Sequence, residues 1–118
     1  MYEYEISSLR IIDGDTITAT VDLGFGVHKK ETFRLYGINA PETRGSEKEA
    51  GIRATKALRM MATTPGTTIK TIKRVNRRGE TLESQGKYGR YLAVLVLRNG
   101  KSLNEWMVDT GHAVKADY

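Results

Sequence analysis

Between residues 2 and 36 apolar and polar side chains alternate, most clearly at Ile17, Ala19 and Val21 and again at Phe33 and Leu35. A period of two marks a half-buried strand, because successive side chains of an extended chain point to opposite faces. Residues 2–12, 17–22 and 28–36 are also rich in β-branched and aromatic residues, so three strands are predicted there. Gly14 marks the first turn and Leu23-Gly24-Phe25-Gly26 the second. Pro41 then bars the run from continuing as a central strand.

Beyond Pro41 the pattern becomes helical. Ser46 with Glu49 forms a capping box, and Ala50, Ala54, Ala57, Leu58 and Met61 follow on one face. This predicts a helix of roughly four turns that ends near Thr64-Pro65-Gly66. Residues 67–75 read as a fourth strand and 91–97 as a fifth, closed by the Asn99-Gly100 turn. Ser102 with Glu105 repeats the capping box, Leu103, Met107 and Trp106 supply a short helix with a buried face, and Gly111 stops it. Five strands with a helix between the third and fourth describe an α+β domain, a five-stranded Greek-key β barrel (OB-fold) with two or three helices. The polar stretch 76–86 is expected to be a mobile loop.

A chain of 118 residues, 39% hydrophobic, has room for one domain over residues 1–118 and one modest core. With no cysteine, disulfides and thiolate-bound zinc are excluded. A formal charge of +5 and a pI near 9.6 favour polyanionic partners without requiring them. No stretch approaches a membrane span, and Met1-Tyr2-Glu3-Tyr4-Glu5 has neither the basic nor the apolar part of a signal peptide. A cytoplasmic monomer is expected, unless a leader has been removed. His28 and His112 have no second metal-type ligand beside them and read as surface residues.

Three polar clusters at turn positions carry the candidate chemistry: Asp13-Gly14-Asp15-Thr16, residues 34–42, and Lys87-Tyr88-Gly89-Arg90. Together they supply carboxylates for a hard cation, a further carboxylate for proton abstraction and two arginines for a phosphoryl group. That set suits a metal-assisted phosphodiesterase. Each residue also has a plainer reading, since turn aspartates often bond their own backbone and most glutamates are simply solvated. The basic residues Lys70, Lys73, Arg74, Arg77 and Arg78 can guide a polyanion or form a solvated face.

The clusters, with Phe33-Arg34-Leu35 running into Asn39-Ala40-Pro41-Glu42-Thr43, then Asn104-Glu105 and Gly111, resemble the staphylococcal nuclease family in order and approximate spacing. The resemblance implies a calcium-dependent endonuclease that cuts DNA and RNA, single-stranded or locally open, and leaves 3′-phosphate and 5′-hydroxyl ends. It implies Asp15, Asn39 and the Ala40 carbonyl as calcium ligands, Glu42 as general base, and Arg34 and Arg90 as the groups that grip the scissile phosphate. Lys87 and Tyr88 would contact the neighbouring phosphate. Asp15 is expected to project from the barrel surface, and Asp13 to order the turn or hold a metal-bound water.

Three positions depart from the family pattern. Asn39 replaces an aspartate, so a ligand oxygen is kept and a negative charge is lost. Gly86 replaces an acidic residue, and Asp117 falls where the family often has a nucleotide-pocket tyrosine. A non-catalytic nucleic-acid- or protein-binding module on the same fold is therefore the alternative function. Retention of Asp15, Arg34, Glu42 and Arg90 argues for catalysis.

Overall fold

The computed structural model describes residues 2–72, 74–75, 81–82 and 91–116. Three long strands, β1 (Tyr2–Asp13), β2 (Thr16–Gly24) and β3 (Val27–Leu35), form an antiparallel meander. With β5 (Thr68–Thr71) and β8 (Tyr91–Val96) they close into a barrel in the order β1-β2-β3-β8-β5. Among the described residues only the β3–β8 pairing is parallel, and β5 against β1 completes the ring. The chain has the predicted α+β architecture, a closed five-stranded barrel with helix α1 (Lys48–Ala62) between the third and fourth barrel strands.

The alternation seen in the sequence becomes the inside and outside of this barrel. Ile17, Ala19 and Val21 of β2 are buried, as are Phe33 and Leu35 of β3. In β1 the inward set slips from Tyr4 and Ile6 to Leu9 and Ile11, because an irregularity between Ile6 and Ser8 shifts the register. The Ser7 and Ser8 hydroxyls bond the Thr20 carbonyl and hydroxyl at 3.2 and 2.9 Å, so the irregularity is held by polar side chains.

Helix α1 buries Gly51, Ala54, Ala57, Leu58 and Ala62, a stripe close to the predicted one. Its start differs. Residues Gly45–Glu47 form a 3-10 turn, Glu47 occupies the N-cap, and no side chain caps the helix, so the Ser46–Glu49 capping box does not form. The second box does: Ser102 Oγ accepts the Glu105 N–H at 3.2 Å and starts α2 (Leu103–Asp109). The predicted fourth strand is divided. Thr68–Thr71 stays in the barrel, whereas β6 (Arg74–Val75) pairs with β7 (Thr81–Leu82) in a separate ribbon. Apart from Thr81 and Leu82, the 76–86 stretch lies outside the described residues.

Two short features lock the ends of the barrel strands. A two-residue strand, β4 (Ile38–Asn39), pairs with β9 (Val114–Lys115), and it was not legible because two residues carry no period. Buried Asn104 on α2 donates from Nδ2 to the carbonyls of Tyr36 and Ala93, at 2.9 and 3.1 Å, and accepts the Leu95 N–H at 3.1 Å. Asn104→Ala would leave these three backbone groups without that partner. A stability loss of roughly 3 kcal/mol is expected from urea denaturation. A loss below about 1 kcal/mol would mean that water replaces the amide.

Candidate active site

The turn between β1 and β2 starts the site. Asp13 Oδ1 accepts the Asp15 N–H at 3.0 Å, the self-bonded geometry that makes aspartate a turn former. Gly14 is required by contact, since a Cβ there would stand 2.7 Å from the Ala40 Cβ and 2.9 Å from the Ala54 Cβ. The turn therefore presses against both α1 and the segment after β4.

That inward seating corrects the expectation for Asp15. It does not project from the barrel surface but is 5% exposed, and Arg34 beside it is 9% exposed. Barrel register explains the meeting, because Thr16 pairs with Arg34 across β2 and β3 and the Leu35 N–H donates to the Asp15 carbonyl at 2.8 Å. Arg34 Nη1 lies 2.7 Å from Asp15 Oδ1, and Nη2 donates to Asn39 Oδ1 at 3.1 Å and to the Ile38 carbonyl at 3.3 Å. The second carboxylate oxygen, Oδ2, accepts the Ala40 N–H at 2.8 Å, and Thr16 Oγ1 donates to Oδ1 at 3.1 Å. A buried charge is tolerated only with partners of this kind.

The two turn carboxylates are polarised against each other. Asp13, half-buried, is pushed up to about 6, chiefly by desolvation and then by the Asp15 carboxylate beside it. Burial also disfavours charge on Asp15, but its contacts with Asp13, the Ala40 N–H and Arg34 outweigh this and hold it below the usual carboxylate range. Asp15 thus keeps the negative charge, and Asp13 is the one that takes up a proton first.

The β4–β9 pairing fixes Asn39 opposite Val114. Its amide oxygen and the Asp15 carboxylate face the same guanidinium, so two of the three predicted metal-ligand residues converge on one cationic group. Ala40, the third, meets Asp15 through its N–H. Glu42 follows Pro41 and is exposed, with its own N–H donating to Glu47 Oε2 at 3.1 Å. A recess of about 160 Å³ opens beside this segment, lined in part by Asn39, Pro41, Glu47 and His112. His112 is half-buried against Trp106, with ring centroids 5.9 Å apart, rather than simply a surface residue. Lys87, Tyr88 and Arg90 lie outside the described residues. So do Lys73, Arg77 and Arg78 of the basic run.

The family model for staphylococcal nuclease homologue matches residues 32–118. The chain belongs to the staphylococcal nuclease family. No curated protein matches it. The matched span contains Arg34, Asn39, Ala40, Glu42 and the Lys87-Tyr88-Gly89-Arg90 run, but begins after the Asp13-to-Thr16 turn. What joins Asp15 to the family segment is its geometry, the ion pair with Arg34 and the hydrogen bond from Ala40.

The donor chemistry suits a hard cation. Asp15 and Asn39 offer only oxygen, and calcium takes carboxylate, amide and carbonyl oxygens alike. Their oxygens already surround a positive group, the Arg34 guanidinium. Among the described residues no three His, Asp or Glu side chains gather, and of the three predicted ligands Asp15 is the charged one, with the Asp13 carboxylate beside it. Sequence reasoning missed Glu47. Its signal was an acidic residue at the start of a helix, which was absorbed there into the Ser46–Glu49 capping pattern.

Proposed function

We propose that the chain is a calcium-dependent phosphodiesterase that hydrolyses DNA and RNA, single-stranded or locally open, to leave 3′-phosphate and 5′-hydroxyl ends. The observation that carries this reading is the convergence of Asp15, Arg34, Asn39 and Ala40 into one hydrogen-bonded cluster beside Glu42. Asp15, the Asn39 amide oxygen and the Ala40 carbonyl would hold calcium, which when bound supplies positive charge to offset the developing charge on phosphoryl oxygens. Arg34 and Arg90 would grip the scissile phosphate, because a guanidinium donates two parallel bonds and stays charged at any working pH. Glu42 would take the proton of the attacking water, and its exposure leaves it accessible to that water. Lys87 and Tyr88 would contact the adjacent phosphate.

A cation and the Arg34 guanidinium draw on the same two oxygens, Asp15 Oδ1 and Asn39 Oδ1. Cation binding would therefore loosen Arg34 from the cluster and turn it toward substrate. The deciding assay is cleavage of a single-stranded oligonucleotide after chelator treatment, with calcium or magnesium restored. Calcium is expected to restore cutting and magnesium to give little. Equal or better activity with magnesium would contradict the metal assignment.

The closed Asp15–Arg34 pair and the neutral Asn39 favour a second reading, a binding module that no longer uses the metal. Asn39→Asp separates the two. If the added charge is worth about 1.4 kcal/mol at the metal, calcium should bind about tenfold more tightly by calorimetry, and less calcium should be needed for half-maximal cleavage. Unchanged affinity would remove residue 39 from the ligand set. If neither protein binds calcium or cuts nucleic acid, the binding-module reading takes its place.

A further inference from the structure

Among the described residues none bonds the Glu42 carboxylate, and the side chain is exposed, so its position depends on how its backbone is held. That backbone is gripped on both sides by the start of α1. On one side the Glu42 N–H donates to Glu47 Oε2 at 3.1 Å. On the other, Gly51 packs so closely that a Cβ at this residue would lie 2.1 Å from the Glu42 carbonyl oxygen, 2.5 Å from its carbon and 2.8 Å from the Thr43 nitrogen. Real side chains do not reach such distances, and the obstacle is backbone rather than a movable side-chain end.

Gly51 is otherwise out of place. It sits inside a helix, where glycine is among the poorest formers, and the nearest atoms that a Cβ there would meet belong to the Glu42–Thr43 backbone. Glu47 has no capping bond into its own helix. Both residues instead serve the segment that carries Glu42. The same helix face continues to Ala54, against which the Asp15 turn is seated through Gly14. One rigid helix thus backs both halves of the site.

We propose that Glu47 and Gly51 are positioning residues, which fix the Glu42 backbone so that its exposed carboxylate is presented to the attacking water at a set distance from the Asp15–Arg34 cluster. This rests on the reading of Glu42 as general base. An exposed carboxylate on an untethered segment samples many positions, and displacement of a catalytic group by about 1 Å can cost on the order of a hundredfold in rate.

The experiment compares Glu47→Ala, Glu47→Gln and Gly51→Ala in the full chain, with kcat and KM measured on a single-stranded oligonucleotide at saturating calcium and Glu42 amide exchange followed by NMR. Glu47→Ala should lower kcat by about tenfold with KM nearly unchanged, and should speed exchange of the Glu42 N–H. Glu47→Gln keeps an acceptor oxygen and should restore both kcat and protection to within about threefold of the parent. Gly51→Ala should cost on the order of a hundredfold in kcat. Should that variant fail to fold, the two Glu47 variants still decide the matter. Faster Glu42 exchange in Glu47→Ala with an unchanged kcat would overturn the proposal, as would equal effects of Ala and Gln. Glu42→Gln serves as the control: if it is inactive while Glu47→Ala is fully active, only the positioning claim falls, and if it is fully active, the general-base reading falls and takes the positioning claim with it.

Discussion

Arg34→Ala is expected to lower turnover by about a hundredfold or more and, in the same protein, to reduce folding stability by roughly 3–5 kcal/mol. The two losses have different origins. Turnover would fall because the guanidinium proposed to grip the phosphate is gone. Stability falls because Asp15 is 5% exposed and loses Arg34, its ion-pair partner among the described residues, keeping the Ala40 N–H and the Thr16 hydroxyl. Asp15→Asn in the Arg34→Ala background removes the stranded charge, so it should recover much of the stability and none of the turnover. Urea denaturation of the three proteins beside an oligonucleotide cleavage assay tests both parts. A wild-type denaturation midpoint in Arg34→Ala would show that Asp15 finds another partner, and wild-type turnover would remove Arg34 from the phosphate site.

The barrel was legible because its strands carry long periodic signals. Ile17, Ala19 and Val21, or Phe33 and Leu35, can be buried together only by an extended chain, and three such runs separated by glycine turns leave few topologies. Shorter elements gave no such signal. The β4–β9 pair is two residues on each side, and the division of the fourth strand between the barrel and the β6–β7 ribbon depends on partners rather than on local pattern. At the start of α1 the local rule for a capping box was overridden, because Glu47 is engaged with the Glu42 N–H and a 3-10 turn precedes the helix.

The residue types of the candidate site stand out in the sequence in the same way, and the contacts between them do not. Asp15, Arg34, Asn39 and Ala40 were expected near one another, and they share one set of hydrogen bonds. Burial of Asp15 could not be read from the DGDT turn, because it follows from two contacts distant in sequence, Gly14 against Ala40 and Ala54. Glu47 and Gly51 were invisible for a similar reason. Nothing in a local window shows that a helix glycine faces a carbonyl nine residues earlier.

Glu42→Gln should separate chemistry from structure in the opposite way to Arg34→Ala. The side chain is exposed, and among the described residues nothing bonds its carboxylate, so its folding stability should change by no more than about 0.5 kcal/mol. The backbone N–H to Glu47 is untouched by the substitution, which leaves the segment where it was. Glutamine has nearly the same shape but cannot accept the proton of an attacking water, and loss of a general base typically costs on the order of 10²–10⁴ in rate. Turnover should therefore fall by at least a hundredfold while the affinity for an uncut single-stranded oligonucleotide, measured by fluorescence anisotropy with calcium, stays within about threefold. Near-normal turnover would mean that water reaches the phosphorus without Glu42, and the base would have to be sought elsewhere in the site. A parallel fall in affinity would instead assign Glu42 to substrate binding, because only an interaction confined to the transition state lowers turnover while leaving the ground-state complex intact.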